Sequence, residues 1–322
     1  MHNISELQVI VEEAIKQLRY PSKPDKLYAP ISYIMALGGK RIRPVLVLMA
    51  AELFDEDLKE PLHAAMAIET FHNFTLIHDD IMDNAPLRRG KITVHEKWGV
   101  NNAILSGDVM MVEANKQLSN LDISVLKRAL FTFNSTAQGV CQGQQLDMEF
   151  ENRDDVTLEE YIEMIRLKTA VLIGGALKLG AEVANASVED AENLYSFGEN
   201  LGIAFQLQDD ILDVYASPEK FGKQIGGDII SNKKTWLMLQ AIQEAESEEI
   251  LTMLQVSEGD EALLKVKTVT EIYNKYKIKE LAETQVKIYI DKAMQALDNI
   301  KVSDERKVYL RALTQKLMVR DN

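Results

Sequence analysis

The chain has 322 residues, a formal net charge of −14 and a single cysteine. So acidic a composition argues against nucleic acid as a partner, because no basic stripe is available to cover phosphates. One cysteine cannot form an intramolecular disulfide, which is compatible with a reducing, cytoplasmic location. The N-terminal stretch 1–18 has three glutamates and no uninterrupted apolar run, so we expect neither a signal peptide nor a membrane anchor there.

The scarcity of helix-breaking residues predicts the fold class. Glycine (16) and proline (7) are rare, while leucine, alanine, glutamate and lysine are frequent, so we expect an all-α protein. No stretch approaches the about 18 apolar residues of a membrane span. No linker or low-complexity tract divides the chain, and we therefore predict one domain over residues 1–322.

Two features stand out near the N-terminus. Apolar residues at helical spacing predict a packing helix without chemistry over residues 4–18. Residues 38–43, GGKRIR, then place two glycines and three cations at the start of an apolar helix over 45–54. Backbone amides and cations at a helix start favour anion binding, although the pattern is also typical of a solvated basic helix start.

A predicted helix over residues 61–82 runs into an acidic motif, DDIMD, at residues 79–83. His72, Thr75 and Asp79 share one face of this helix, because positions three, four and seven apart are neighbours on a helical surface. Aspartate is a mediocre helix former, and three carboxylates within five residues repel one another unless a cation lies among them. We therefore expect a positive charge at this motif.

A second acidic motif with the same spacing, DDILD, lies at residues 209–213. It belongs to a predicted helix that starts near Ala191. Gln206, Asp209 and Asp213 share one face of that helix, as the corresponding residues of the first motif do. The doubled motif is the strongest signal in the chain and predicts two acidic clusters with a common role.

Basic residues accompany both motifs. Two arginines follow the first motif in a loop, where they could neutralise the aspartates or hold an anion that the aspartates bind through a metal. Lys168 lies within an apolar helical stretch, which is unusual for a lysine on the plain protein surface. A glycine-bearing loop that contains Lys223 follows the second motif. The residues concerned are Arg88, Arg89, Lys168 with Thr169, Lys223 and Lys233.

The chemistry of these residue types narrows the function. Aspartates without histidine or cysteine are hard oxygen ligands, which favour Mg²⁺ over zinc or copper. Mg²⁺ commonly completes its coordination with substrate phosphates, so two acidic clusters would hold a diphosphate through metal. Neither a nucleophile motif nor a phosphate-binding Walker loop is present. We expect a site that removes diphosphate from a substrate able to form a carbocation.

The order of the motifs carries a resemblance. GGKRIRP, DDIMD followed by RRG, GQQLD, KT, FQLQDD with DDILD, GKQIGGD and NKK occur in that order between residues 38 and 236. This series resembles the trans-prenyltransferases, the head-to-tail isoprenyl diphosphate synthases. The resemblance implies an all-α bundle around a central cavity, usually a homodimer. It also implies Mg²⁺-dependent condensation of isopentenyl diphosphate with an allylic diphosphate (dimethylallyl, geranyl or farnesyl).

Position by position, the resemblance implies three groups of site residues. The Mg²⁺ ligands are Asp79, Asp83 and Asp209, with Asp80 and Asp213 in support through water or hydrogen bonds. The allylic diphosphate is bound by Arg88, Lys168, Thr169, Gln206, Lys223 and Lys233. The isopentenyl diphosphate is bound by Lys40, Arg43, His72 and Arg89. The expected catalytic residues are Asp79, Asp83, Asp209, Lys168 and Lys223.

Product length is expected to follow from residues one to two helical turns before Asp79, because each isoprene unit extends the tail by roughly one turn. Phe74 is bulky, whereas Thr75 is small. A lone aromatic at the position of Phe74 resembles one group of geranylgeranyl diphosphate synthases. We predict a C15 to C20 product, with C20 favoured.

Three other functions stay open at this point. A longer-chain polyprenyl diphosphate synthase would share all of these motifs. A class I terpene cyclase would share the fold and the first motif, but DDILD and the cations Lys40, Arg43 and Arg89 argue against it. A non-catalytic partner subunit would be expected to lose aspartates, and all six are present.

Overall fold

The computed structural model describes residues 1–55, 57–216, 226–255 and 259–318. In these ranges the regular structure is helical except for one short hairpin, so the predicted all-α class is confirmed. None of the described helices is long and apolar enough to cross a membrane. The internal contacts divide the chain into two compact units, and the single domain over residues 1–322 remains a prediction.

Unit 1 comprises the described residues of Met1–Ala137, Gly175–Tyr195 and Ile300–Tyr309. Its first segment, Met1–Ala137, contains six helices, a hairpin and the first part of a long seventh helix. In chain order they are α1 (Ile4–Gln17), α2 (Asp25–Ala36), α3 (Ile42–Glu52), α4 (Lys59–Met82), β1 (Leu87–Arg88), β2 (Lys91–Ile92), α5 (Val94–Trp98), α6 (Val100–Leu118) and the start of α7 (Ile123–Glu151).

Unit 2 comprises the described residues of Gln138–Gly174, Ser196–Asn299 and Leu310–Asn322. In order, the elements that follow α7 in the chain are α8 (Leu158–Ile165), a π-helical turn (Arg166–Ala170), α9 (Val171–Val183), α10 (Val188–Tyr215), α11 (Gly227–Ile230), α12 (Trp236–Glu244), α13 (Ser247–Leu254), α14 (Asp260–Lys275), α15 (Ile278–Asp298) and α16 (Asp304–Met318). Three of these elements, namely α9, α10 and α16, belong in part to unit 1.

Helix α4 organises unit 1. It packs against α3 on one side and α6 on another, and α3 is buried over its whole stretch 44–52. Helix α1 lies within the predicted range 4–18 and buries Leu7, Val11 and Ile15, while Asn3 and Glu6 form a capping box at its start. The predicted motif helices also form: α4 runs slightly beyond the predicted range 61–82 at its N-terminus, and α10 begins three residues before Ala191.

A close helix crossing in unit 2 positions Lys168. The backbone of the π-helical turn approaches α7 at Gly143, where an added Cβ atom would lie 2.1 Å from the backbone nitrogen of Lys168. At Gly139, one turn earlier on α7, an added Cβ atom would lie 3.3 Å from its nearest neighbour, the Val171 side chain. Only glycine at position 143 allows the two backbones to approach this closely. The π-helical turn itself was not predicted from the sequence.

We expect Gly143→Ala to lower the free energy of unfolding by about 2 kcal/mol or more, because the methyl group meets rigid backbone. Gly139→Ala is the matched control on the same helix. There the methyl group meets a side chain that moves more easily, and alanine favours the helix by up to about 1 kcal/mol. Urea unfolding measures both variants, and a Gly143→Ala protein as stable as the wild type would contradict this account of the crossing.

Candidate functional site

The acidic end of α4 is paired with an arginine from the hairpin. Arg88 Nε donates to Asp80 Oδ1 at 2.8 Å, and Arg88 Nη2 lies 2.7 Å from Asp80 Oδ1 and 3.2 Å from Asp79 Oδ2. The chain itself therefore provides a cation for two of the three carboxylates, Asp79 and Asp80. Asp83 is the C-cap of α4 and is exposed, one helical turn beyond Asp79 and on the same face.

Asp80 points into unit 1. Its side chain is 1% exposed, and burial raises its pKa, an effect that the Arg88 guanidinium opposes. Asp80 Oδ2 is buried and has no hydrogen-bond partner among the residues that the structure describes. Burial separates this aspartate from Asp79 and Asp83, so its observed contacts are those of a residue that holds Arg88.

The hairpin directs two neighbouring arginines to different partners. Arg88 pairs with Lys91 across the two strands, and the connecting residues Arg89 and Gly90 have φ values of 52° and 72°. Two consecutive positive φ values are typical of a type I′ turn, which suits the twist of a two-residue hairpin. Arg89 Nη1 donates to the Gly38 carbonyl. The two guanidiniums thus reach the aspartates and the glycine loop respectively.

Thr93 closes the base of this hairpin. Its backbone N–H donates to the Pro86 carbonyl at 3.1 Å, and its hydroxyl donates to the Ala85 carbonyl at 2.8 Å. Tyr33 of α2 donates its hydroxyl hydrogen to the Ile92 carbonyl at 2.7 Å. These bonds hold both strands of the hairpin, so its arginines project from a fixed base.

Four of the predicted anion-binding residues belong to the region around the glycine loop. Arg43 Nη1 lies 3.2 Å from His72 Nε2, Arg89 contacts the loop at Gly38, and Lys40 is exposed within it. Arg43 Nε is buried and has no hydrogen-bond partner among the described residues, and burial lowers the pKa of its guanidinium. A buried donor left over in this way suits an anion.

His72 is neutral in this environment. Burial lowers its pKa well below the ordinary value, and the guanidiniums of Arg43, Arg89, Arg88 and Arg41 add to that effect. The short contact with Arg43 requires His72 Nε2 to accept a hydrogen bond, which places the ring proton on Nδ1. His72 is therefore a neutral imidazole beside the arginine cluster.

Arg41, between Lys40 and Arg43, has a different environment. Its guanidinium donates to Glu69 at 2.6 Å, to Glu12 at 2.7 Å and to the Met35 carbonyl at 2.7 Å. Burial opposes the charge, yet these carboxylates raise its pKa above the ordinary value. Sequence reasoning assigned Arg41 no separate role, because three neighbouring cations look alike until their partners are known.

In unit 2, the second acidic motif repeats the pattern of the first. Asp210 is buried and accepts a hydrogen bond from the Tyr161 hydroxyl, and burial raises its pKa to about 7 despite that bond. Asp213 accepts from the Asp228 amide at 3.1 Å, and Asp209 lies one turn before it on α10. The second aspartate of this motif, Asp210, is thus also turned inward, away from the face of Asp209 and Asp213.

The basic and polar residues predicted around the second motif are partly described. Lys168 forms an ion pair with Asp147 of α7, and Thr169 donates to Gln206 Oε1 at 3.4 Å. The Lys233 ammonium acts against the raised pKa of Asp210. Lys223 lies outside the residues that the structure describes. Asp147, the last residue of the GQQLD motif, was not identified from the sequence as the partner of Lys168.

The two residues predicted to control product length point in different directions. Thr75 shares the face of Asp79, and its hydroxyl donates to the His72 carbonyl at 2.8 Å. Phe74 is turned about 140° from Asp79 around the helix. Its ring packs against Phe71, with centroids 5.6 Å apart, and against His78, at 4.7 Å.

The oxygen donors of both motifs fit a magnesium ion. Among the described residues, no group of three histidine, cysteine, aspartate or glutamate side chains is placed to hold a metal by itself. Mg²⁺ typically takes one or two carboxylates and completes its shell with water and phosphate oxygens. Asp79 and Asp83, a turn apart on one face, meet that requirement.

Comparison with known proteins gives concordant matches along almost the whole chain. The family model described as polyprenyl synthetase matches residues 24–275. The geranylgeranyl diphosphate synthase of Methanosarcina mazei is 39% identical over 303 residues, which are 93% of this chain and 92% of that protein. The geranylfarnesyl diphosphate synthase of Natronomonas pharaonis is 39% identical over 256 residues, 74% of this chain and 75% of that protein.

Solved structures are similar over the same length. A crystal structure of a geranylgeranyl pyrophosphate synthase is 40% identical, covers 100% of both chains and has a TM-score of 0.95. The geranylgeranyl pyrophosphate synthase from Corynebacterium glutamicum, complexed with isoprenyl diphosphate and magnesium, is 27% identical and has a TM-score of 0.86. That comparison covers 99% of this chain and 100% of that one.

The depressed pKa of His72 predicts how stability depends on pH. The unfolded chain protonates His72 near its ordinary pKa of 6.5, whereas the folded protein resists protonation. The contribution of His72 to the free energy of unfolding is therefore fully present above pH 6.5. It is lost as the pH falls toward the lowered pKa of the folded protein, by up to about 1.4 kcal/mol per pH unit. His72→Gln cannot titrate, so its melting temperature should fall less than that of the wild type between pH 7.5 and 5.5.

The control for this experiment is Leu62→Met, which changes a residue of the same helix that does not titrate. We expect its melting temperature to follow that of the wild type through the pH range. Equal losses for His72→Gln and the wild type on acidification would contradict a neutral, desolvated His72.

Proposed function

Because this chain belongs to the polyprenyl synthetase family and is a prenyltransferase, we propose that it condenses isopentenyl diphosphate head to tail with an allylic diphosphate. We propose geranylgeranyl diphosphate, the C20 compound, as its product. The observation that carries the proposal is the division of cations in unit 1. Arg88 is bound to the aspartates, whereas Arg43 and Arg89 cluster around His72 and the glycine loop.

The proposed reaction breaks the bond between C1 and oxygen of the allylic diphosphate and forms a carbon–carbon bond to isopentenyl diphosphate, which then loses a proton. Asp79 and Asp83 would hold Mg²⁺ at the first motif, and Asp209 at the second, with Asp80 and Asp213 in support. When bound, Mg²⁺ neutralises the charge that develops on the departing diphosphate. Arg88, held by two aspartates, presents its remaining N–H donors to the same oxygens.

From the resemblance, residues around the second motif are also proposed to bind the allylic diphosphate. Lys168, Thr169, Gln206 and Lys233 are proposed to bind this diphosphate, and Lys223 is proposed on the resemblance alone. Lys168 is paired with Asp147, so a diphosphate would have to draw the ammonium away from that carboxylate. A diphosphate carries more charge than one carboxylate, and this exchange favours the substrate.

Isopentenyl diphosphate is proposed to bind at Lys40, Arg43, His72 and Arg89. Arg43 contributes a half-buried guanidinium whose buried Nε donor is unused, which gives a strong interaction with a phosphate oxygen. His72 stays neutral and adds no further charge. Its Nε2 accepts from Arg43, and its Nδ1 is the donor. This half of the site contains no described metal ligand, in keeping with a diphosphate that is retained through the reaction.

We also propose a homodimer. Helix α6 exposes Val100, Ile104, Leu105 and Val112, which are between 41% and 55% exposed. A cluster of large apolar side chains on one exposed helix is typical of protein interfaces. The cytoplasmic location predicted from the composition remains a proposal as well.

The direct test is incubation of the pure protein with isopentenyl diphosphate, Mg²⁺ and, in turn, dimethylallyl, geranyl and farnesyl diphosphate. We expect prenyl diphosphate product that chromatography sizes at C20, and none when EDTA removes the metal. Asp79→Ala and Asp209→Ala should each lower kcat by at least about 100-fold, since they remove charge stabilisation in the transition state.

Asp291→Ala, an exposed aspartate of α15, is the control for these variants and should keep wild-type turnover. Absence of product with every primer would refute the synthase function. Cyclised hydrocarbon from an allylic diphosphate alone would instead indicate a terpene cyclase, and C25 or longer product would indicate a longer-chain synthase.

Product length should respond to the two residues before the first motif. Phe74→Ala removes a ring beside Phe71 and His78 and should give products longer than C20. Thr75→Phe places a ring on the face of Asp79 and should shorten the product to C15. Both products are sized by chromatography, and a Phe74→Ala enzyme that still stops at the wild-type length would remove Phe74 from chain-length control.

A further inference from the structure

Helix α1 presents two polar residues to the glycine loop. Gln8 Nε2 donates to the Lys40 carbonyl at 2.7 Å, and Glu12 Oε1 accepts from Arg41 Nε at 2.7 Å. The two residues lie one turn apart and hence on one face of the helix. The buried apolar residues of α1 anchor the helix in unit 1, so its polar face is held against the loop.

The loop that these residues contact has an unusual backbone. Gly38, Gly39 and Arg41 have φ values of 73°, 136° and 47°. Left-handed backbone is unfavourable for a residue with a side chain, so Arg41 keeps this conformation only through bonds from its surroundings. Those bonds come from Glu69, from the Met35 carbonyl and from Glu12 of α1.

The conformation of Arg41 decides where its neighbours point. Lys40 precedes Arg41, and Arg43 follows two residues later at the start of α3. Any rotation of the backbone at Arg41 would therefore swing Lys40 relative to Arg43. Gln8 and Glu12 each oppose that rotation, because one holds the carbonyl before Arg41 and the other holds the Arg41 side chain.

We propose that Gln8 and Glu12 are positioning residues for the isopentenyl diphosphate subsite, acting through the backbone of Lys40 and Arg41. The inference rests on the proposed function. It assigns a role to a helix that precedes the stretch matched by the family model, residues 24–275. It also separates the two substrates, since the arginine proposed for the allylic diphosphate, Arg88, is held by Asp79 and Asp80 and not by this loop.

The fold should tolerate the loss of these contacts. The Glu12 side chain is 36% exposed, and without it Arg41 keeps its bonds to Glu69 and the Met35 carbonyl. Gln8 donates a single bond to a loop carbonyl at the protein surface. A substitution at either residue therefore releases the loop without leaving a buried charge unpaired.

The test compares Gln8→Leu, Glu12→Ala, Glu12→Gln and the double variant Gln8→Leu/Glu12→Ala in the full-length enzyme. The KM for isopentenyl diphosphate should rise about tenfold in the double variant, as expected for two lost hydrogen bonds. The KM for the allylic substrate and kcat should stay within about twofold. Glu12→Gln should have a smaller effect than Glu12→Ala, because its amide oxygen still accepts from Arg41.

Glu13→Ala is the matched control, because Glu13 is the exposed neighbour of Glu12 on the same helix. It should leave both KM values at the wild-type level. Binding is measured independently as the rise in melting temperature that isopentenyl diphosphate alone produces, which should be smaller in the double variant than in the wild type.

An unchanged KM for isopentenyl diphosphate in the double variant would overturn the inference. So would equal rises in both KM values with a lowered melting temperature, which indicate general destabilisation. In either case the wild type would still form product. Absence of product from the wild type with every primer would instead refute the proposed function, and the inference with it.

Discussion

Pairing of guanidinium and carboxylate groups along α4 is the interaction on which the candidate site of unit 1 depends. Glu69 binds Arg41 in the middle of the helix, and Asp79 and Asp80 bind Arg88 at its end. A buried charge is unfavourable by several kcal/mol unless it is paired at good geometry. The partners of Arg41 satisfy that condition, so the cationic segment 40–43 folds onto α4 without an uncompensated charge at Arg41.

The same pairing separates structural cations from those suited to substrate. Arg41 donates hydrogen bonds to two carboxylates, whereas Arg43 contacts a neutral histidine and has an unused Nε. The Arg89–Gly38 contact engages a carbonyl dipole, a weaker partner than a carboxylate. A phosphate anion therefore gains more from Arg43 and Arg89 than from Arg41, although the three residues have the same chemistry.

In both acidic motifs the second aspartate is buried and makes structural contacts. Asp80 turns into unit 1 and holds Arg88, and Asp210 turns into unit 2 and accepts from Tyr161. Successive residues on a helix differ by about 100° in direction, so the middle residue of a DDxxD motif cannot share the face of the outer two. The outer aspartates of each motif share one face, which is the face proposed to hold metal.

The sequence by itself determined the helical class, the two motif helices and the kind of chemistry. These depend on local properties: the 3.6-residue period puts His72, Thr75 and Asp79 on one face, and carboxylates and guanidiniums predict magnesium and phosphate as ligands. Only the tertiary structure decided which of three neighbouring cations is buried and that Lys168 meets Asp147. It also decided that α1 holds the glycine loop. Such contacts join residues that lie far apart in the chain or on different helix faces, and no periodicity encodes a partner at that distance.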